Sequence, residues 1–77
     1  NPFNPSTNIN YILPMDAFVT LEIFNSLGQK VEELVSDQQL AGKYIIEFDA
    51  SNMSSGIYFY KLTTPSFSET KKMTLIK

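Results

Sequence analysis

Three groups of residues in this sequence have types that could do chemistry. They are Ser54-Ser55-Gly56, the adjacent carboxylates Glu32-Glu33, and the oxygen-rich run of Asp49, Ser51 and Asn52. A serine becomes a nucleophile only beside a base, and the chain holds no His and no Cys. A His-based triad, a His general base and a His or thiolate metal site are therefore excluded. Ser54-Ser55-Gly56 is expected to be a turn instead. Neighbouring residues on a strand point to opposite faces, so Glu32 and Glu33 could not share a substrate and are expected to be solvated charges. Asp49, Ser51 and Asn52 lack the alternating spacing and distal Glu of a calcium loop. The expected role of Asp49 is to cap a turn through its own downstream amides. No glycine-rich phosphate loop is present. The chemistry points away from an enzyme, and no cofactor or metal is expected.

The elements that carry these residues follow from length and patterning. With 77 residues there is room for one small domain, which buries only roughly 60% of the surface of its unfolded chain. The composition is 43% hydrophobic, 13% aromatic and 18% charged, the balance of a folded chain rather than a disordered one. Six Lys against eight acidic residues give a net charge of −2, and there is no Arg. A nucleic-acid module needs a basic stripe and favours Arg, so that class is disfavoured. The longest apolar runs are three or four residues, far short of the ~20 that span a bilayer. There is no basic stretch leading into an apolar one, so no N-terminal signal peptide is read. The chain opens on Asn-Pro-Phe-Asn-Pro without an initiator Met, and is expected to be a segment from the end of a longer protein.

Asn1 to Ser6 is a Pro/Asn/Ser linker whose prolines favour extended backbone. Residues 7–77 form the domain. Thr7 to Leu13 alternates, with Ile9, Tyr11 and Leu13 on one face, and Pro14 ends it. Phe18 to Asn25 does the same, with Val19, Leu21 and Ile23 inward. Asn25-Ser26-Leu27-Gly28 has the residues of a tight hairpin with Gly28 in the left-handed position. The two strands and this turn suggest an antiparallel meander. Gln29 to Ala41 fits two patterns. Val31, Leu34 and Val35 have helical spacing, whereas Val31, Glu33 and Val35 alternate as a strand with a loop from Ser36 to Gly42. Lys43 to Ala50 is a strand with Tyr44, Ile46 and Phe48 on one face. Ile57 to Thr64 is the most apolar run, a central strand with Tyr58, Tyr60 and Leu62 inward. Pro65 and Ser66 turn the chain into a last strand, Phe67 to Lys77. Six to seven short strands with Gly, Asn, Ser and Pro between them make an all-β, antiparallel sandwich. Phe24 and Phe59 fall opposite the inward sets. They are candidates for a docking or sugar-stacking patch, or are covered by loops or by Phe3.

Five segments in order carry a resemblance: Asn1-Pro-Phe-Asn-Pro-Ser-Thr7, Phe24-Asn-Ser-Leu-Gly-Gln-Lys-Val31, Ala41-Gly42-x-Tyr44, Asp49-Ala-Ser-Asn-Met-Ser-Ser-Gly-Ile-Tyr58 and Thr70-Lys-Lys-Met-Thr-Leu-Ile-Lys77. Together they strongly resemble the C-terminal sorting domain of the type IX (Por) secretion system of Bacteroidetes-type bacteria, over essentially the whole chain. The resemblance implies an Ig-like sandwich at the end of a larger exported cargo protein. It implies recognition by an outer-membrane translocon and removal by a cell-surface sortase, with the cut at or before Asn1. The cargo is then secreted or held at the cell surface of a Gram-negative bacterium, reached through the periplasm. Translocon recognition would fall on Lys71, Lys72, Met73, Thr74, Leu75, Ile76 and Lys77. Gly28, Gly42, Asp49, Gly56 and Tyr58 match structural positions of the family. The resemblance also favours a strand then a loop over the helix in Gln29 to Ala41.

The final strand has a physical reading of its own. Lys71, Lys72 and Lys77 flank a β-prone stretch, as lysines do where edge strands avoid wrong partners. The same strand could be offered to a receptor by edge pairing or side-chain docking. Two other functions stay open at this level: an accessory Ig-like module binding glycan or protein, and a structural domain like that of the flagellar hook cap. Exposed edges also allow dimerisation in isolation.

Overall fold

A sheet buries one face only against a second layer, so alternating strands of this kind have to stack. The computed structural model, which describes residues 6–76, shows that stack. Six strands run in order: β1 (Ser6–Leu13), β2 (Ala17–Asn25), β3 (Lys30–Gln39), β4 (Gly42–Asp49), β5 (Gly56–Thr63) and β6 (Ser68–Leu75). One sheet is β1-β4 and the other is β3-β2-β5-β6, with every pairing antiparallel. The fold is an all-β sandwich. The linker assigned to Asn1–Ser6 lies outside the described residues up to Pro5, as does Phe3, and β1 begins at Ser6.

The core sits where the inward sets of both sheets meet. Val19, Leu21 and Ile23 of β2 are fully buried, facing Ile9, Tyr11 and Leu13 of β1 and Phe48 of β4. Leu62 of β5 and Val35 of β3 close it, while Tyr58, Tyr60, Met73 and Leu75 pack at its margin. Tyr11 and Tyr44, Cα partners on β1 and β4, stack with ring centroids 5.2 Å apart. Tyr11 also donates to Gln39 Oε1 on β3, which ties the two sheets together at that end.

Two expectations change. β1 and β2 are not neighbours in a meander. β2 has β3 on one side and β5 on the other, and β1 crosses to the second sheet to pair with β4. Placed in opposite sheets, the Ile9, Tyr11 and Leu13 face of β1 covers the Val19, Leu21 and Ile23 face of β2. The stretch after Gly28 is a strand and not a helix, but no loop begins at Ser36. β3 continues to Gln39, because Ser36, Asp37, Gln38 and Gln39 pair with Thr20, Val19, Phe18 and Ala17. The connection to β4 is only Leu40-Ala41, held by the Ala41 amide donating to Asp16 Oδ1 at 2.8 Å. Val31, Glu33 and Val35 do not share a face either. Register shifts opposite Leu21/Glu22 and Ile23/Phe24 leave Leu34 and Val31 as the extra residues of two bulges. Val35 then faces inward opposite Leu21, and Val31 is left largely exposed.

Candidate functional site

β6 is the strand on which the recognition residues were expected, and it lies at the edge of the four-stranded sheet. Its position starts in the turn before it. The Thr64 backbone N–H donates to the Phe67 carbonyl at 2.8 Å, and Thr64 Oγ1 accepts from the amides of Ser66 and Phe67 at 3.2 Å each. Thr64 is buried, so its hydroxyl satisfies these amides away from water. Sequence reasoning named Pro65 and Ser66 for this turn but missed Thr64. The available signal was a hydroxyl residue just before Pro-Ser, the setting of a side-chain-capped turn.

From that turn the pleat sorts the expected residues onto two faces. Met73 and Leu75 face inward, opposite Tyr58 and Gly56 of β5, and pack against the core margin. Lys71 shares their face, opposite Tyr60, yet is exposed. Lys72 and Thr74 are on the outer face, opposite Phe59 and Ile57, and are exposed. Ile76 follows the strand with 73% of its surface accessible. Lys77 lies outside the described residues. The proposed recognition residues thus do not form one patch: two of them help hold the fold, and four present themselves to solvent.

The outer face has an order that strand-by-strand reading does not give. Pairing registers place Lys30, Phe24, Phe59 and Lys72 in one row across all four strands. The phenylalanines are half-buried, directly opposite each other, with a lysine at each end. The next row is Glu33, Glu22, Lys61 and Thr70. Glu22 and Glu33 would repel as direct partners. Lys30 bridges them, its Nζ 3.5 Å from Glu22 and 3.3 Å from Glu33. The hydrogen bond to Glu33, with the charges of both carboxylates, holds the Lys30 ammonium above its ordinary pKa.

The structural positions named from the resemblance sit at chain reversals. Gly28 has φ +85°, and its amide donates to the Asn25 carbonyl at 3.0 Å, which closes the β2–β3 hairpin as expected. Asn25 does more than start this turn. Its Oδ1 accepts from the amides of Leu27 and Gln29, and its Nδ2 donates to Gln29 Oε1. Gly42 opens β4 opposite Leu13, and Gly56 opens β5 opposite Leu75 of β6. Asp49 Oδ1 accepts from the Ser51 amide at 2.9 Å, and that bond lowers its carboxyl pKa. Tyr58 donates to the Ser54 carbonyl at 2.9 Å, which places Ser54 in the turn. Glu32 and Glu33 are exposed and, across the second bulge-free step, lie on opposite faces.

Among the described residues no helix is long and apolar enough to cross a membrane. No curated protein and no solved structure matches the chain. Residues 1–77, the whole sequence, match the family described as "Secretion system C-terminal sorting domain". The chain therefore belongs to the family of type IX secretion C-terminal sorting domains.

Proposed function

We propose that this chain is a non-catalytic sorting signal, folded before it is read, whose final strand is the part the outer-membrane translocon recognises. Membership of the family supports export across the outer membrane, interaction with type IX machinery and linkage to a cargo. The finer reading rests on the position of β6. A strand at a sheet edge offers unpaired backbone groups and an outer face, and Lys72, Thr74 and Ile76 are exposed along it. The lysines keep this edge from pairing indiscriminately while leaving it open to a specific receptor. A surface sortase of a Gram-negative bacterium then cuts at or before Asn1 and leaves the cargo secreted or surface-held. The chemistry inventory supports the non-catalytic reading, since no His or Cys is present to act as base or nucleophile.

The test is deletion of Lys71 to Lys77 from the complete exported protein in its host, followed by cell fractionation. The reading expects cargo to accumulate in the periplasm. Because Met73 and Leu75 pack on the core, a second variant, Lys71→Glu with Lys72→Glu, separates recognition from folding. Both side chains are exposed, so the variant should fold and still fail to export. Full surface delivery by either variant would refute the role of this strand.

A further inference from the structure

The two sheets part at one end of the sandwich. There Ser6 and Thr7 at the start of β1, Phe48 near the end of β4, Tyr58 of β5, and Met73 and Leu75 of β6 wall a cleft of about 340 Å³. The wall is mostly apolar. Tyr58, Met73 and Leu75 are only half-buried, because two strands stacked on four leave the inner side of β6 partly uncovered. An apolar space of about 150 Å³ already admits a benzene ring. This cleft therefore has room for one large apolar side chain, which none of the residues lining it supplies.

The sequence places such a side chain beside it. Ser6 lines the cleft, and Phe3 stands three residues before it. Three extended residues reach roughly 10 Å, about two strand spacings. Extended backbone is what the prolines favour, since Pro2 and Pro5 restrict Asn1 and Asn4 to it. Side-chain alternation then selects the face. Ile9, Tyr11 and Leu13 are the inward residues of β1, and counting back by twos along an extended chain arrives at Phe3 on their side. Phe24 and Phe59 lie on the outer face of the four-stranded sheet, which that alternation does not reach. Among the first six residues Phe3 alone has a large apolar side chain.

We infer that the cleft is a docking site for Phe3 of this same chain, so that the segment entering the domain is latched onto the inner side of β6. Asn1 to Pro5 lie outside the described residues; the inference rests on the cleft, on the reach from Ser6 and on the alternation of β1. The latch joins the two ends of the sequence. It gives Met73 and Leu75 the cover that the two-stranded sheet does not, and it ties the side from which a cargo enters to the closing strand. It needs only the three residues before Ser6, and it stands whether or not the translocon reads β6.

Proton NMR of the 77-residue chain reads the contact directly. Nuclear Overhauser contacts are expected from the Phe3 ring to the methyl groups of Met73 and Leu75, and the ring should shift those methyl signals upfield. Both effects should vanish in Phe3→Ala. That variant removes no residue of the described core, so circular dichroism should show it folded. Its unfolding equilibrium constant should rise on the order of tenfold, as for loss of a buried aromatic side chain at a partly open site. Phe3→Leu, which keeps an apolar side chain, should recover most of that change. The ring contacts in the unaltered chain do not depend on either variant. Absence of those contacts, or contacts from Phe3 to Phe24 or Phe59 in their place, would overturn the inference. So would contacts that appear only as protein concentration rises, because the occupant would then be Phe3 of a second copy. Phe3→Ala unfolding like the unaltered chain would overturn it as well.

Discussion

The Tyr58 hydroxyl donates to the carbonyl oxygen of Ser54, four residues before it and 2.9 Å away. Tyr44 makes the same bond to Leu40, at 2.6 Å and with the same separation. In each case a glycine stands two residues before the tyrosine, with φ +149° at Gly42 and +153° at Gly56. The chain crosses between sheets just before both, entering β4 from β3 and β5 from β4. Glycine supplies the backbone turn and the tyrosine clamps the loop behind it, the logic of a tyrosine corner. Tyr58→Phe keeps the ring and removes only the donor. We predict a loss of roughly 0.5–1.5 kcal/mol, read as a lower urea midpoint with an unchanged slope. Tyr44→Phe should cost a similar amount.

Gly28 tests the hairpin. Its φ is +85° and nothing lies within 4 Å of where a Cβ would stand, so a substitution there meets backbone strain and no clash. Gly28→Ala is expected to cost about 1–2 kcal/mol. Gly28→Asn should cost less, since Asn tolerates this region. Equal costs, measured by denaturant unfolding, would show that space rather than backbone decides the position.

The core prediction contrasts two branched aliphatic residues. Leu21 is fully buried, whereas Ile45 is 70% exposed on the outer face of β4. Leu21→Ala should cost about 2–5 kcal/mol, a large share of the ~5–15 kcal/mol that holds a domain together. Ile45→Ala should change stability by no more than about 0.5 kcal/mol. Thermal unfolding of the two variants checks the difference.

Acid and alkali should act through different groups. The Ser51 amide lowers the Asp49 carboxyl pKa in the folded chain. Its contribution is therefore present above about pH 4 and is lost as pH falls through the lower folded value. Burial, partly offset by the Gln39 hydrogen bond and aided by Tyr44, raises the Tyr11 phenol pKa. Its contribution is present below about pH 10 and is lost as pH rises through the raised folded value. Unfolding midpoints across pH should show both arms. Asp49→Asn should flatten the acid arm and Tyr11→Phe the alkaline one.

Much of this architecture was legible because side-chain period encodes burial. Val19, Leu21 and Ile23 alternate in the sequence and are all fully buried in the sandwich. Pairing was less legible. Nothing local to Thr7–Leu13 says that its partner is Gly42–Asp49, about thirty residues away, rather than the next strand. The bulges at Leu34 and Val31 break the period that would have revealed the faces of β3. Polar Ser36 to Gln39 look like a loop because propensity misses the backbone ladder that β2 supplies. At the candidate site, the composition of β6 was visible but the row from Lys30 to Lys72 was not, because a row depends on three registers at once.

The most direct test of the sorting account is transplantation. A reporter bearing an N-terminal export signal is joined to residues 1–77 and expressed in bacteria with and without type IX machinery. The account predicts reporter at the cell surface or in the medium only when both the chain and the machinery are present. It predicts periplasmic retention when Lys71→Glu and Lys72→Glu are introduced into a chain that still folds. Equal delivery with and without the 77 residues, or in cells lacking the machinery, would contradict it.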